Sequence, residues 1–476
     1  MSACKPTLSR EVPEFHSEPY LHVAGLSASS ALIAWGAFYF RVRARGEWKL
    51  VDDRDLARVH PPRRDSIGVR SAPYGAARVN VFDQSGAVVA TVRTEATNWC
   101  HVTGLQPDTV YSYEVTVNDE IWAEGDRYDW QPGTDQGLAK AGGRYVNRFR
   151  THPSPRQSLD RPLSFAVIGD FGVGIRKSGA TKRQREIGEA LTRAVDQYDV
   201  RFVLTTGDNV YAGRRILGLP VGDEGDEDDD WFFTFYQPYR YLLNRIPVYP
   251  CIGNHDSAET EDRDDRQQVL DNMFLRERMA TDEATGKASL DPGLFYRVAV
   301  GRDVELICLD TSKEHFFSRG RLFQHPEHQA FIEESLQVAE DAGVLWRIPF
   351  CHHPPYSAGP RHHNTDDMHP LMQRFRTAGV RVMFNGHEHN FQHSHVDGID
   401  YLVSGAAGKL RRGRPNRFDA ARTISWSDTP HFLLVTIEGR QMTVQPFGEL
   451  VDGELSEIPR RSPSDEFISG PITISL

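Results

Sequence analysis

The sequence predicts an all-β sandwich followed by an α/β domain. Short β-rich segments divided by turn residues such as DQSG and QPDT fill the stretch from Leu21 to Thr151. After residue 162, apolar strand-like runs alternate with segments whose apolar residues recur at helical spacing. Polar residues directly follow several of these runs, which is where α/β proteins place their ligand sites. We therefore expect a functional site along one edge of the second domain.

Length and charge limit the class of protein. The 476 residues are enough to bury a core in each of two or three domains. Since 55 Lys and Arg stand against 66 Asp and Glu, with a formal charge of −11, no nucleic-acid partner is expected. No run approaches the roughly 20 apolar residues of a membrane helix, and no secretion signal is recognisable. We expect a soluble protein without a membrane partner. As the sequence stands we expect it in the cytoplasm, and export stays open if a signal has been removed.

The cysteines predict buried free thiols rather than disulfides. The five cysteines are scattered without CxxC spacing, and three lie inside apolar strand-like runs. Disulfide frameworks belong mainly to short, cysteine-dense secreted chains, whereas a free cysteine behaves as a small buried apolar residue. The oligomeric state is not indicated by any of these features.

The first domain is predicted to span residues 1–150. Its run HVTGLQPDTVYSYEV resembles the corner between strands E and F of fibronectin type III domains, where Tyr111 or Tyr113 would pack and hydrogen-bond back across the corner. Residues 122–143, rich in Asp, Gly and Trp, are interpreted as a loop. The segment 151–162, THPSPRQSLDRP, carries three prolines and is interpreted as the linker between the domains.

The second domain is predicted to span residues 163–450, with 451–476 as a C-terminal tail. LSFAVIGD, RFVLTTGD and IPVYPCIGNHD are predicted strands with helices between them. FYRVAV and VELICLD are predicted to pair, and helices are predicted at EHQAFIEESLQVAED and HPLMQRFRTAG. YLVSGAAG, HFLLVTIEG and QMTVQPF are expected to complete a second sheet. The pairing of the last apolar piece, ISGPITISL, is left open.

Five polar motifs follow the apolar runs. They are GDFGVG, GDNVY, GNHD, CHHPPYS and GHEHNF, and the last places two imidazoles one residue apart. Together they supply carboxylate, phenol, amide and imidazole groups without a thiolate cage. Oxygen and imidazole nitrogen in this combination suit iron, zinc or manganese.

The order of these motifs resembles the calcineurin-like metallophosphoesterases, and within them the purple acid phosphatases. The resemblance covers Ser164 to about Phe447, and it is specific because five motifs occur in the family's order. It implies a four-layer α/β/β/α metallophosphoesterase sandwich, here preceded by a fibronectin-like sandwich. It also implies two metal ions at the carboxyl ends of the strands.

The resemblance assigns the motif residues to two metal ions. The ferric ion would be held by Asp170, Asp208, Tyr211 and His389, and a divalent ion (iron, zinc or manganese) by Asp208, Asn254, His352 and His387. Two cations about 3.5–4 Å apart need a shared oxygen ligand, which is a reason for Asp208 to bridge them. Most of the superfamily has a histidine two residues after the first aspartate. Here Phe171 and Gly172 follow that aspartate, and the phenolate of Tyr211 would replace the lost nitrogen and favour Fe(III).

The implied reaction is hydrolysis of small-molecule phosphomonoesters by a hydroxide that the two metals activate. His255, beside Asn254, is the candidate proton donor for the leaving alkoxide. His362 and His363 approximately match an outer-sphere histidine of the family, although Arg361 falls on the most direct match.

Two other functions remain open at this stage. One is a phosphodiesterase or nucleotide phosphohydrolase on the same scaffold, because substrate choice lies in loops such as 212–230, 357–367 and 408–418. The other is a non-catalytic binding protein with a vestigial metal site, against which the complete ligand set argues.

Several polar residues near the motifs are interpreted as structural. His353, His393 and His395 match no ligand position of the family, and Glu388 is expected on the side of an extended segment opposite the two ligand histidines. Each of the four is therefore expected to play a structural or supporting part. The acidic run 222–230 is interpreted as a solvated loop, with a rim that repels polyanions as the alternative. The basic run 409–414, KLRRGR, either recognises the substrate or is a solvated loop.

Overall fold

A computed structural model describes residues 15–42, 48–50, 69, 71–127, 143–175, 179–211, 215–216, 219–220, 231–259, 265–278 and 294–476. The acidic run 222–230, Cys4 and most of the loop 122–143 lie outside the described residues. Within the described ranges the chain forms an all-β part followed by an α/β part, as the sequence predicts.

The all-β part is built mainly from two antiparallel sheets. Its strands are β1 (Phe15–Leu26), β2 (Ser30–Val42), β3 (Trp48–Leu50), β4 (Ala77–Phe82), β5 (Val88–Thr94), β6 (Trp99–Thr103), β7 (Val110–Val117), β8 (Glu120–Ile121), β9 (Gly125–Arg127), β10 (Gly143–Tyr145) and β11 (Arg148–Arg150). In one sheet β2 pairs with β1, β3 and β6, and in the other the order is β11-β7-β4-β5, with β8 also on β7. A short β9–β10 ribbon stands apart from both sheets.

Alternation of apolar residues explains why these strands face each other. In β4 every second residue is buried, as expected for a strand with one covered face. Val79 and Val81 belong to the same buried cluster as Ile33 and Trp35 of the other sheet. The backbone N–H of Gln106 donates a 2.8 Å hydrogen bond to Tyr111 Oη, so the predicted fibronectin-like corner is confirmed for this tyrosine.

Residues 151–162 are packed against the second domain. His152 is buried, and its Nε2 lies 2.8 Å from Tyr249 Oη. The backbone N–H of Leu159 donates a 2.8 Å hydrogen bond to Asp303 Oδ2. Tyr113 adds a further connection between the domains, because its hydroxyl donates to the carbonyl of Asn244 at 2.8 Å.

Two mixed sheets form the centre of the α/β part. The first contains β12 (Leu163–Ile168), β13 (Val200–Thr205), β16 (Val248–Pro250), β24 (Phe432–Glu438), β25 (Gln441–Val451), β26 (Glu454–Glu457) and β29 (Ile472–Ser475). The second contains β17 (Tyr296–Val300), β18 (Val304–Cys308), β19 (Trp346–Phe350), β20 (Val382–Asn385), β21 (Phe391–Val396), β22 (Ile399–Ser404), β23 (Thr423–Ser427), β27 (Arg460–Arg461) and β28 (Phe467–Ile468). The first has the order β16-β13-β12-β24-β25-β26 with β29 on β25, and the second the order β17-β18-β19-β20-β22-β21-β23-β27-β28. The ribbon of β14 (Arg215–Ile216) and β15 (Leu219–Pro220) is separate.

Helices cover the outer faces of the two sheets. The described helices are α1 (Gly179–Gln197), α2 (Gln237–Leu243), α3 (Arg266–Asn272), α4 (Pro326–Asp341), α5 (His369–Thr377) and α6 (Phe418–Ala421), with a π-helical turn at Phe232–Tyr236 and 3₁₀ turns at Leu322–Gln324 and Asp366–Met368. Ile187 of α1 belongs to the large apolar cluster that also contains Phe165 of the first sheet and Phe384 of the second. Phe331 of α4 packs in a separate cluster with Met383 of the second sheet. The predicted four-layer α/β/β/α arrangement is therefore confirmed.

The assignment of two late strands differs from the sequence prediction. HFLLVTIEG and QMTVQPF were expected in the second sheet, but β24 and β25 lie in the first, where β24 pairs antiparallel with β12. A continuous apolar run indicates burial on both faces and carries no information about which strand lies beside it. The last apolar piece pairs as β29 with β25, and β27 extends the second sheet. The domain boundaries themselves stay predictions.

The buried thiols agree with the sequence prediction. Cys100, Cys251, Cys308 and Cys351 are free and buried. Burial raises the pKa of the Cys351 thiol to about 12, so this group stays protonated and inert. Among the described helices, none combines the length and apolar character needed to span a membrane.

Candidate metal centre

The predicted ligands lie at the carboxyl ends of strands from both sheets. Asp170 follows β12, Asp208 and Tyr211 follow β13, Asn254 follows β16, His352 follows β19, and His387 and His389 follow β20. β12, β13 and β16 are mutually parallel neighbours, so their carboxyl ends meet at one edge of the first sheet. The parallel pair β19 and β20 ends at the facing edge of the second sheet. The cluster thus lies where the two edges meet.

The backbone at this edge is unusual. Asp170, Asp208 and His387 have φ values of 54°, 52° and 71°, in the left-handed region that side chains rarely occupy. Such conformations persist where surrounding contacts enforce them, typically at functional sites. Two motif glycines allow the close approach of neighbouring motifs. A Cβ at Gly253 would lie 2.2 Å from the backbone nitrogen of Asp208, and one at Gly386 would lie 2.6 Å from Asp170 Oδ2.

The first group of donors surrounds the hydroxyl of Tyr211. Its oxygen lies 3.1 Å from Asp170 Oδ1, 2.8 Å from Asp208 Oδ2 and 3.4 Å from His389 Nε2. The Nε2 of His389 is in turn 3.5 Å from Asp170 Oδ1. These are the four residues that the family resemblance assigns to one ion.

The second group of donors surrounds the amide oxygen of Asn254. This oxygen lies 2.7 Å from His352 Nε2 and 2.8 Å from His387 Nδ1, and the two imidazole nitrogens are 3.1 Å apart. His352 Nε2 is also 3.4 Å from Asp208 Oδ1. Asp208 therefore presents one oxygen to each group, which is the arrangement that a bridging carboxylate requires.

The electrostatics of the two groups suit bound cations. Burial, together with the charge of Asp208, raises the pKa of Asp170 well above its usual value. Burial and the two nearby carboxylates raise the pKa of Tyr211 well above its usual value. Burial would likewise raise the pKa of Asp208, but His352 and His255 hold it below the usual value. A cation among these donors reverses such shifts, because it stabilises carboxylate and phenolate.

The donor set therefore fits two metal ions. The ligand atoms of Asp170, Asp208 and His352 lie within 4.8 Å of one another. Carboxylate, phenol, amide and imidazole donors from all seven predicted positions converge here, which is the chemistry of an oxygen and nitrogen site for iron, zinc or manganese. The assignment of each residue as a ligand stays a prediction.

The predicted proton donors occupy different positions. His255 lies beside the first group, with its ring centroid 4.5 Å from that of Tyr211, and its backbone N–H donates to Asp208 Oδ1 at 2.9 Å. The ring of His362 packs 3.9 Å from that of His387. His363 instead forms a 2.9 Å hydrogen bond between its Nδ1 and the carbonyl of Gly359, and its described contacts do not reach the cluster. Of this adjacent pair, the structure brings only His362 to the site.

The other noted histidines have supporting contacts. His353 is buried with its Nδ1 3.1 Å from Thr311 Oγ1. His393 and His395 both face Asp400, at 2.7 Å and 3.1 Å from its Oδ1. These contacts agree with the structural reading of the three histidines.

Two residues of the basic run 409–414, which the sequence interpretation left open between substrate recognition and a solvated loop, lie near the cluster. The ammonium of Lys409 lies 4.6 Å from the centroid of the Tyr211 ring, and its backbone N–H donates to the carbonyl of Asp170 at 2.8 Å. Arg411 contacts Glu388, the residue between His387 and His389. The available signal was the position of KLRRGR directly after β22, a parallel neighbour of β20, which places this loop at the same edge.

Comparison with known proteins shows similarity to phosphoesterases. The calcineurin-like phosphoesterase family model matches residues 163–391. Purple acid phosphatase 4 of Arabidopsis thaliana is 24% identical over 297 residues, which cover 60% of this chain and 80% of the relative. Human tartrate-resistant acid phosphatase type 5 is 24% identical over 318 residues, which cover 61% of this chain and 89% of the relative.

Two solved structures resemble almost the whole chain. The purple acid phosphatase PPD1 from yellow lupin seeds superposes with a TM-score of 0.57 and 14% identity, covering 96% of this chain and 74% of that chain. PhoD superposes with a TM-score of 0.60 and 12% identity, covering 94% and 91%. At these identities the structures establish the shared fold alone.

Proposed function

We propose that the chain, whose residues 163–391 match the calcineurin-like phosphoesterase family model, hydrolyses phosphomonoesters as an acid phosphatase of the purple type. The observation that carries the proposal is the hydroxyl of Tyr211, 2.8 Å from Asp208 and 3.1 Å from Asp170. A phenol at this position, with no histidine two residues after Asp170, is the feature that separates the purple branch from most of the superfamily. Relatives named purple and tartrate-resistant acid phosphatases support the same branch.

The family implies a dinuclear metal centre, and we propose Fe(III) with a divalent iron, zinc or manganese ion. The hard phenolate of Tyr211 beside two carboxylates favours a trivalent ion, whereas the amide and two imidazoles of the second group suit a divalent one. When bound, the ions supply a nucleophile by lowering the pKa of water, and they polarise the phosphoryl oxygens.

The chain's own residues then orient the reactants. Asp208 fixes the two groups of donors relative to each other, because one of its oxygens faces Tyr211 and the other faces His352. Asn254 contributes a neutral oxygen, which leaves more positive charge for the phosphate than a carboxylate would leave. His255 is half-buried beside Tyr211, so it can reach both the site and solvent, and it donates the proton to the leaving alkoxide.

The visible spectrum of the purified protein tests this proposal. Iron bound to a tyrosinate produces a charge-transfer band, which Tyr211→Phe is expected to abolish. Tyr401→Phe is the matched control, because Tyr401 is a buried tyrosine of the cluster that packs outside the second sheet. A band that survives Tyr211→Phe, or an iron-containing protein without any band, would refute the purple-type assignment.

The preferred ester is tested separately. Initial rates on a phosphomonoester and on a bis-ester of the same alcohol, measured across pH, compare the two reactions directly. We expect the monoester to be the faster substrate. A faster bis-ester would assign the domain to phosphodiester hydrolysis, while leaving the metal centre intact.

A further inference from the structure

Glu388, the residue between His387 and His389, is fully buried and holds two loops. Its Oε1 accepts a 2.9 Å hydrogen bond from Arg411 Nε, and its Oε2 accepts a 3.1 Å hydrogen bond from the backbone N–H of His362. One buried carboxylate therefore joins the loop after β19 to the loop after β22. A buried carboxylate needs charged or polar groups at its oxygens, and these two contacts supply a charged group to one oxygen and a backbone N–H to the other.

The loop after β19 is shaped around this carboxylate. A Cβ at Gly359 would lie 2.4 Å from Glu388 Cδ, so the chain can pass here only without a side chain. The ring of His362, whose backbone Glu388 holds, packs 3.9 Å from the ring of His387. Glu388 thus connects directly to a residue that touches the metal-ligand cluster.

Arg411 is held in place at two points and leaves its terminal nitrogens available. Its backbone N–H donates to the carbonyl of His389 at 2.7 Å, and its side chain is only 17% exposed. Across the part of the chain that the structure describes, neither Nη1 nor Nη2 has a hydrogen-bond partner, because the single side-chain bond of Arg411 is made by Nε. Its bonds to the carbonyl of His389, a predicted ligand, and to Glu388, which lies between the two ligand histidines, place Arg411 beside the cluster.

We propose that Arg411 binds the phosphoryl group of the substrate beside the two groups of ligands, and that Glu388 positions it. The planar guanidinium offers two terminal NH₂ groups that suit phosphate oxygens, and its Nε bond to Glu388 fixes the plane. The inference rests on the proposed phosphatase function and names a substrate-binding residue for it. Glu388 affects phosphate binding through Arg411, without touching the substrate itself.

Binding of inorganic phosphate to the full-length, metal-loaded protein tests this assignment. The variants are Arg411→Gln, Arg411→Lys and Glu388→Gln, and the matched control is Arg412→Gln, because Arg412 is the adjacent arginine and is exposed. Titration calorimetry measures the phosphate affinity, steady-state kinetics with a phosphomonoester separates KM from kcat, and elemental analysis measures the metal content.

We expect Arg411→Gln to weaken phosphate binding and raise KM by about 10-fold to 100-fold, the value of one charge-assisted contact. Arg411→Lys should retain part of the affinity, since the charge stays but the fixed fork is lost. Arg412→Gln should match the unmodified protein. If Glu388 acts through Arg411, the double variant Glu388→Gln/Arg411→Gln binds phosphate no more weakly than Arg411→Gln alone.

The possible outcomes separate this inference from the proposed function. If the protein hydrolyses phosphomonoesters but Arg411→Gln leaves phosphate affinity and KM unchanged, the inference is wrong and the function stands. If the protein binds phosphate through Arg411 without hydrolysing monoesters, the function is wrong and the binding site stands. Additive losses in the double variant would refute the positioning part of Glu388. A protein that neither binds phosphate nor turns over would overturn both.

Discussion

Gly253→Ala is the sharpest single test of the geometry at the metal centre. Gly253 opens the GNHD motif, and the Cβ that alanine adds would lie 2.2 Å from both the backbone nitrogen and Oδ1 of Asp208. Ordinary carbon contacts begin near 3.4 Å, so Asp208 or its neighbours must move by about 1 Å. Asp208 cannot move without disturbing both groups of donors, because its two oxygens face Tyr211 and His352.

The displacement of Asp208 determines how large a loss of activity and stability we expect from Gly253→Ala. A misplacement of about 1 Å in catalytic geometry costs about 100-fold in rate, and overpacking costs about 1–3 kcal/mol of stability. We therefore expect Gly253→Ala to lose at least about 100-fold in kcat/KM while remaining folded. Its metal content should fall as well, since Asp208 is the shared donor.

The assay compares this variant with Gly320→Ala. At Gly320 the added Cβ would meet only the end of the flexible Gln324 side chain, at 3.0 Å, so the same chemical change is made without displacing backbone. Activity on a phosphomonoester, bound metal and the thermal midpoint are measured for both. If Gly253→Ala keeps kcat/KM and metal content within a factor of three of the Gly320→Ala values, the inferred contact between the two motifs does not matter for function, and the reasoning is refuted.

Three further predictions concern stability. Removing metal with a chelator should lower the thermal midpoint of unfolding, and adding metal back should restore it. If the free metal concentration was 1,000-fold above its Kd, the lost stability corresponds to about 4 kcal/mol. An unchanged midpoint would contradict a fold that bound metal stabilises. Glu18→Ala should cost about 3–5 kcal/mol in urea unfolding, because it removes a buried carboxylate 3.1 Å from the buried guanidinium of Arg240. Arg193→Ala, at an exposed ion pair, should change stability by less than about 1 kcal/mol. Burial and the charge of Arg278 lower the pKa of His22 from 6.5 to about 3 in the folded protein. Between these pH values the unfolded state binds more protons, so the free energy of unfolding should fall as the pH falls from 6.5 toward 3. His22→Leu should flatten this part of the profile of stability against pH.

The placement of the histidines shows how far motif spacing can be trusted. His362 and His363 are adjacent, and Arg361 falls on the most direct match to the family, so sequence spacing alone leaves the choice between them open. The ring of His362 lies 3.9 Å from that of His387, whereas His363 bonds to Gly359. The path of the loop decides between them, and Glu388 holds that path from a distant strand end.

The partner of Glu388 is a second feature that motif spacing could not predict. In an extended segment its side chain is expected on the side opposite His387 and His389, which led to a structural interpretation. The Glu388 side chain is buried as expected, but its partner is Arg411. The sequence interpretation left open whether Arg411 recognises the substrate or lies in a solvated loop. A charge partner that lies on another strand cannot be recognised from local pattern.

The sequence by itself determined the chemistry of the site and the layers of the fold. Donor types are a local property, and each donor follows an apolar run whose strand character is visible in composition and periodicity. Apart from the grouping that the family resemblance implies, only the tertiary structure decided which donors meet. The bond from the His387 backbone to Asp170 joins positions 217 residues apart, and the contact of Asn254 with His352 joins positions 98 apart. Such pairings depend on the order of strands in two facing sheets, and strand order follows from packing among all the strands rather than from the pattern of any one of them.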